Sequence, residues 1–173
     1  MHTAARRWVE RLAHLAPGAH VLDVGGRNIN GTVRDIFQGA ASYTAIDLLP
    51  GPGVDVPCDF LHYHGDGVFD VILHLEVAEH TPDWRQHIAH AADLLRPDGR
   101  LVLTAAGPDR LPHSGIDGGP LQDNEWYQNI DPAELRAILD EHFTSALSRL
   151  GPGELAALRP GGQTGAVYAL ARR

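Results

Sequence analysis

Two carboxylates and a glycine pair are the residues whose types and spacing first suggest chemistry. In Val21-Leu22-Asp23-Val24-Gly25-Gly26-Arg27-Asn28-Ile29-Asn30-Gly31 the glycines follow a short apolar run. Open α/β sheets bind ligands at such a place, outside the carboxyl ends of their strands. Glycine there lets the backbone approach a ligand without a Cβ clash. Asp47 ends a second apolar run, roughly twenty residues on, where a carboxylate can accept hydrogen bonds from both hydroxyls of a ribose. Two phosphate-binding patterns fail at this turn. A dinucleotide fingerprint starting at Gly25 needs glycine where Arg27 and Asn30 stand. Gly26 and Gly31 have the separation of a Walker loop, but Thr32-Val33 occupy the places of its lysine and hydroxyl residue. The joint order fits a nucleoside-containing ligand without an essential pyrophosphate. Taken singly, each feature also reads as a plain turn or a solvated strand end.

A second group could handle protons. His113 and Asp117 in His113-Ser114-Gly115-Ile116-Asp117, and His80 in Glu76-Val77-Ala78-Glu79-His80, are candidate general bases, since imidazole titrates near neutral pH. Each has a plainer reading: His80 packs a turn, and His113 with Asp117 makes a loop hydrogen bond or a weak metal pair. The 11 histidines are dispersed along the chain, so no metal site is expected. Trp126 and Tyr127 either cover an acceptor or plug the loop against the core.

The elements that position these residues follow from periodicity. Ala4, Trp8, Leu12 and Leu15 mark an amphipathic N-terminal helix over 3–15, closed by Pro17-Gly18. Strands are expected over His20 to Val24, Ser42 to Ile46, Val54 to Val56, Phe69 to Leu73 and Arg100 to Thr104. A helix from Asn30-Gly31-Thr32 through Phe37 follows the glycine turn, and a second runs from Asp83 to Leu95. Arg96-Pro97-Asp98-Gly99 reads as a turn. From Gly107 to Asn129 no period is visible, which assigns 107–130 as a long active-site loop. A helix from Asp131 through Leu139 precedes two final strands, Phe143 to Leu150 and Gly165 to Leu170, paired as a hairpin. Alternating strands and helices imply one α/β domain over 1–173 with a largely parallel sheet.

Composition removes several classes. With 173 residues there is little room for a second core. All 14 basic residues are arginine, and against 22 acidic residues they leave a net charge of −8. The absence of lysine disfavours Walker-loop and Schiff-base chemistry, and the acidic balance disfavours nucleic acid as a partner. Cys58 stands alone, so no intrachain disulfide or cysteine-rich zinc site is possible. No segment is long and apolar enough for a secretion signal or a membrane span, so a cytoplasmic protein is expected.

Five blocks in order, Val21 to Gly31, Tyr43 to Asp47, Phe69 to Ile72, Glu76 to His80 and Leu94 to Thr104, resemble the class I S-adenosylmethionine-dependent methyltransferases of the small-molecule type. The resemblance implies a Rossmann-like, doubly wound sheet of seven strands with an antiparallel C-terminal hairpin. It further implies S-adenosylmethionine as cofactor and a small-molecule acceptor. By it, Asp23 and Gly25 shape the methionine end, with Gly26, Asn30 and Gly31 standing in for displaced glycines. Asp47 with Leu48 holds the ribose, Asp59 with Phe60 lies beside the adenine, and His74 and Leu75 border the transferring methyl. The family's acidic-x-Gly-x-Gly-x-Gly has become Asp23-Val24-Gly25-Gly26-Arg27-Asn28-Ile29. An inactive cofactor-binding module, and a nucleotide-sugar or nicotinamide enzyme on the same sheet, are the alternative readings.

Overall fold

The computed structural model describes residues 3–65, 68–108, 110–144 and 166–173. Its strands are β1 (His20–Val24), β2 (Ser42–Asp47), β3 (Val56–Pro57), β4 (Phe69–Leu75), β5 (Leu95–Ala106) and β6 (Ala166–Arg172). They form one sheet in the order β3-β2-β1-β4-β5-β6, parallel except for β6 against β5. The helices are α1 (Thr3–Glu10), α2 (Trp84–Leu94) and α3 (Pro132–His142).

Side chains of a strand alternate between the faces of its sheet, and both faces here are buried. Leu22, Val24, Ile72, Leu101 and Leu103 meet Trp84 and Ile88 of α2 and Leu135 and Leu139 of α3. Val21, Val71, Leu73 and Val102 meet Val9 of α1, with Leu12, Val33 and Phe37. Apolar side chains on both faces explain the near-continuous hydrophobic runs of the strands and make the sheet doubly wound. The register sets Val24 level with Ile46 on β2 and with His74 on β4, so three strands release their chains at one end of the sheet.

Several boundaries differ from the expected ones. The helix over 3–15 stops at Glu10 and resumes as a 3₁₀ turn at Ala13–Leu15. Bonds from Leu12 N–H to Val9 O (2.8 Å) and from Leu15 N–H to Leu12 O (2.9 Å) tighten the chain while Leu12 stays in the core. The helix expected through Phe37 is only a 3₁₀ turn, Arg34–Phe37, which still buries Phe37. The Gly18 N–H to Gly39 O bond draws the following turn back onto the start of β1 and leaves no length for more. β5 begins at Leu95, because Leu95 pairs with Phe69 before a register shift brings Arg100 opposite Val71. The expected Arg96–Gly99 turn is that irregularity, with Asp98 at a φ of 68°.

The described residues hold six strands, not seven. Phe143 and Thr144 lie outside the sheet, and the rest of the strand expected over Phe143 to Leu150 falls outside the described residues. β6 pairs antiparallel with β5. Among the described residues no helix is long and apolar enough to cross a membrane.

α3 starts where Asp131 accepts hydrogen bonds from the N–H groups of Ala133 (2.8 Å) and Glu134 (3.0 Å), with Pro132 in the first turn. Asp131→Ala is expected to lower stability by about 1 kcal/mol, the usual worth of such a cap, read as a lower urea midpoint at unchanged slope.

Candidate functional site

A cleft of about 710 Å³ opens where β1, β2 and β4 end. On its floor Asp23 is 5% exposed and accepts a 2.6 Å hydrogen bond from the Tyr43 hydroxyl. Burial pushes its carboxyl up to about 6, against the pull of the Tyr43 bond. A Cβ on Gly26 would lie 2.7 Å from the Ala45 Cβ and 2.9 Å from Asp23 Oδ2. Gly25 has a φ of +72°, and a Cβ there would overlap the Val77 side chain. Both glycines are thus demanded by packing within the fold itself.

Asp47 is held from two sides. Its Oδ2 accepts from the Arg27 N–H at 3.3 Å and its Oδ1 from the Leu49 N–H at 2.9 Å. The Arg27 Nε lies 3.6 Å from Oδ1, and Arg27 Nη2 donates to the carbonyls of Ile116 (2.8 Å) and Gly115 (3.4 Å). One guanidinium therefore ties the end of β2 to the long loop. Asp59 caps the 3₁₀ turn Phe60–His62 by accepting from the Leu61 N–H at 2.9 Å. Phe60 is buried behind it, edge-on to His87 and His90.

At the other end three rings meet edge to face. Centroids are 5.0 Å apart for His80 and His113, 5.5 Å for His80 and Tyr127, and 5.2 Å for His113 and Tyr127. Burial, then the neighbouring His113, lowers His80 to about 4, so its imidazole is neutral at pH 7. Beside it the Glu79 side chain is fully buried, and burial followed by the field of Glu76 holds its carboxyl well above the usual range.

Asp23, Gly25, Gly26, Asn30 and Gly31 all line the cleft. So do Asp47 with Leu48 and Asp59 with Phe60. Leu75 on β4 and the pair His80 and His113 complete the residues anticipated there. Four others are elsewhere. His74 is 1% exposed and sits beneath the cleft, its Nε2 3.1 Å from His87 Nδ1. Alternation along β4 separates it from Leu75. Burial, then His87, brings it down to about 3. Asp117 is not on the cleft wall; its Oδ1 accepts from the Gly119 N–H at 2.8 Å, and it braces the loop. Trp126 is half-exposed away from the cleft. Tyr127 lies behind the imidazoles, its hydroxyl donating to the Leu111 carbonyl at 3.3 Å. Arg27, Glu76, Glu79 and Arg110 were not anticipated as site residues. The adjacency of Glu79 and His80 was the available signal for one of them.

A family model described as a methyltransferase domain matches residues 1–142. The chain belongs to that family. It is 25% identical to the 1,6-didemethyltoxoflavin-N1-methyltransferase of Burkholderia thailandensis, a structure with bound 1,6-didemethyltoxoflavin and S-adenosylhomocysteine. That superposition has a TM-score of 0.68 and covers 98% of this chain and 78% of the other. The ubiquinone biosynthesis O-methyltransferase of Bordetella avium is 26% identical over 178 residues, 93% of this chain and 70% of the relative. A highly reducing polyketide synthase of Glarea lozoyensis is 28% identical over 121 residues, 55% of this chain, and the match spans only 5% of the synthase.

The Asp23–Tyr43 bond makes a pH-dependent prediction for this methyltransferase domain. A carboxyl whose pKa rises on folding binds more protons folded than unfolded. Asp23 therefore costs stability as pH climbs from its reference value of 3.8 to about 6. Tyr43→Phe removes the donor to the carboxylate and is expected to cost about 1.5–3 kcal/mol at neutral pH. The loss shrinks below about pH 5, where Asp23 is protonated. Urea midpoints of variant and parent at the two pH values check this, since their difference cancels the titration of the histidines.

Proposed function

We propose that this chain transfers a methyl group from S-adenosylmethionine to a small molecule. What carries the reading is one cleft, in a chain of the methyltransferase-domain family, that combines a bare glycine turn with carboxylates at the ends of β1 and β2. The Burkholderia neighbour holds S-adenosylhomocysteine, which supports the same ligand here. A volume of about 710 Å³ suits a ligand of that size. When bound, the sulfonium supplies an activated methyl carbon. The protein's share is to align the acceptor with it and to exclude water.

In this reading Asp47 accepts the ribose hydroxyls while Arg27 retains its other side. Asp59 and Phe60 flank the adenine, and Asp23 and Gly25 shape the methionine end, with Gly26, Asn30 and Gly31 completing the turn. Leu48 and Leu75 close the walls. His80 and His113 border the acceptor, where neutral His80 can take a proton from it. Tyr127 backs both rings. His74 and Asp117 act only through packing and loop geometry. We place the protein in the cytoplasm, consistent with its lone cysteine.

Calorimetric titration with S-adenosylhomocysteine tests the cleft. The parent is expected to bind one equivalent, and Asp47→Ala to bind about tenfold more weakly or worse, the worth of hydrogen bonds to a charged group. Binding of neither this ligand nor S-adenosylmethionine defeats the reading. In an acceptor panel, His113→Ala is expected to lower turnover with cofactor affinity retained.

A further inference from the structure

We propose that Glu79, His80 and His113 form a site for a divalent transition cation at the acceptor end of the cleft. One ligand atom from each, a Glu79 oxygen and one nitrogen of each imidazole, lie within 4.8 Å of one another. Glu79 and His80 are adjacent in sequence, and His113 lies far along the chain. They meet because the 3₁₀ turn Ala78–His80 packs under the loop that carries His113.

The decisive observation is an unmatched carboxylate. Glu79 is 0% exposed, and neither of its oxygens has a hydrogen-bond partner. Burial and then Glu76 oppose the anion, while the nearby backbone amides of Glu79 and Ala106 and the charge of Arg110 favour it. A buried carboxylate without a bonded donor is strongly disfavoured and must gain a proton or a cation. The buried His80 Nδ1 is likewise without a hydrogen-bond partner. His113 is already oriented as ligands usually are: its Nδ1 is 3.2 Å from the Leu111 carbonyl, which leaves Nε2 with a lone pair. Two imidazoles and one carboxylate make a donor set for zinc, iron(II) or related ions, with positions left open. Bonds of about 2.0–2.2 Å require the three groups to draw together. Tyr127 packs on both imidazoles.

His80 and His113 also line the cleft, so the open positions face the acceptor. Resting on the methyl-transfer reading, the site selects an acceptor with an ionisable oxygen, alone or beside a second donor. With the cation bound, it and not the His80 imidazole would hold that oxygen in its deprotonated form, the proton passing to solvent.

The test uses the full chain stripped with a chelator and titrated with zinc chloride, with cobalt(II) absorption as the spectroscopic readout. One equivalent is expected to bind, cobalt giving the bands of a nitrogen- and oxygen-ligated ion. Glu79→Gln and His113→Ala are each expected to weaken zinc by at least about tenfold, the scale on which even supporting groups of a metal ligand count. His14→Ala, away from the cleft, serves as the control and should bind as the parent does. No stoichiometric binding, or binding that His113→Ala retains in full, overturns the site and leaves Glu79 as a protonated acid. S-adenosylhomocysteine affinity, measured on the same proteins, separates this failure from failure of the methyl-transfer reading.

Discussion

No side chain fits at residue 26, and much of the site follows from that restriction. The turn after β1 must pass between the Ala45 methyl and the buried Asp23 carboxylate, which Tyr43 fixes in place. Passing there, it is stitched to β2 by the Gly26 N–H to Ile46 O bond at 2.9 Å and then by the Arg27 N–H to Asp47. These bonds bring the strand-end carboxylate beside the glycine turn and open the cleft between them. The alignment of β1, β2 and β4 at one level supplies the remaining wall. A parallel sheet buried on both faces gives the rigid base that such close approach needs.

Burial acts on the ionisable groups beneath this surface in opposite directions. Asp23 is raised to about 6, while His74, His80 and His87 are lowered to about 3, 4 and 4. All four are thereby driven toward their neutral forms. The histidines add stability as pH rises from their folded values toward the ordinary 6.5, over much of the range in which Asp23 removes it.

The central strands were legible because fully buried strands announce themselves as apolar runs; His20 to Val24 is found with the boundaries expected for β1, whereas the exposed strand expected over Val54 to Val56 is Val56–Pro57. The turn at Arg34–Phe37 was not legible, because a helix start at Asn30-Gly31-Thr32 is also compatible with a single tight turn when the neighbouring loop folds back. In β4 the resemblance put His74 and Leu75 together, although alternation along the strand faces them opposite ways. Asp47 was read from its place at a strand end, Asp23 and Asp59 from the resemblance, and all three line the cleft. The contact of Glu79 and His80 with His113 depends on how an aperiodic loop is laid over a 3₁₀ turn, which no local pattern encodes.

Arg27 first reads as a missing glycine, yet its side chain spans from the β2 carboxylate to two loop carbonyls. Residues sharing one partner do not contribute additively. Asp47 and the Gly115–Ile116 segment therefore form a single thermodynamic unit: stabilising either arm changes the work needed to release the other. A conventional glycine at this position would uncouple them, leaving loop motion and strand-end charge as separate degrees of freedom.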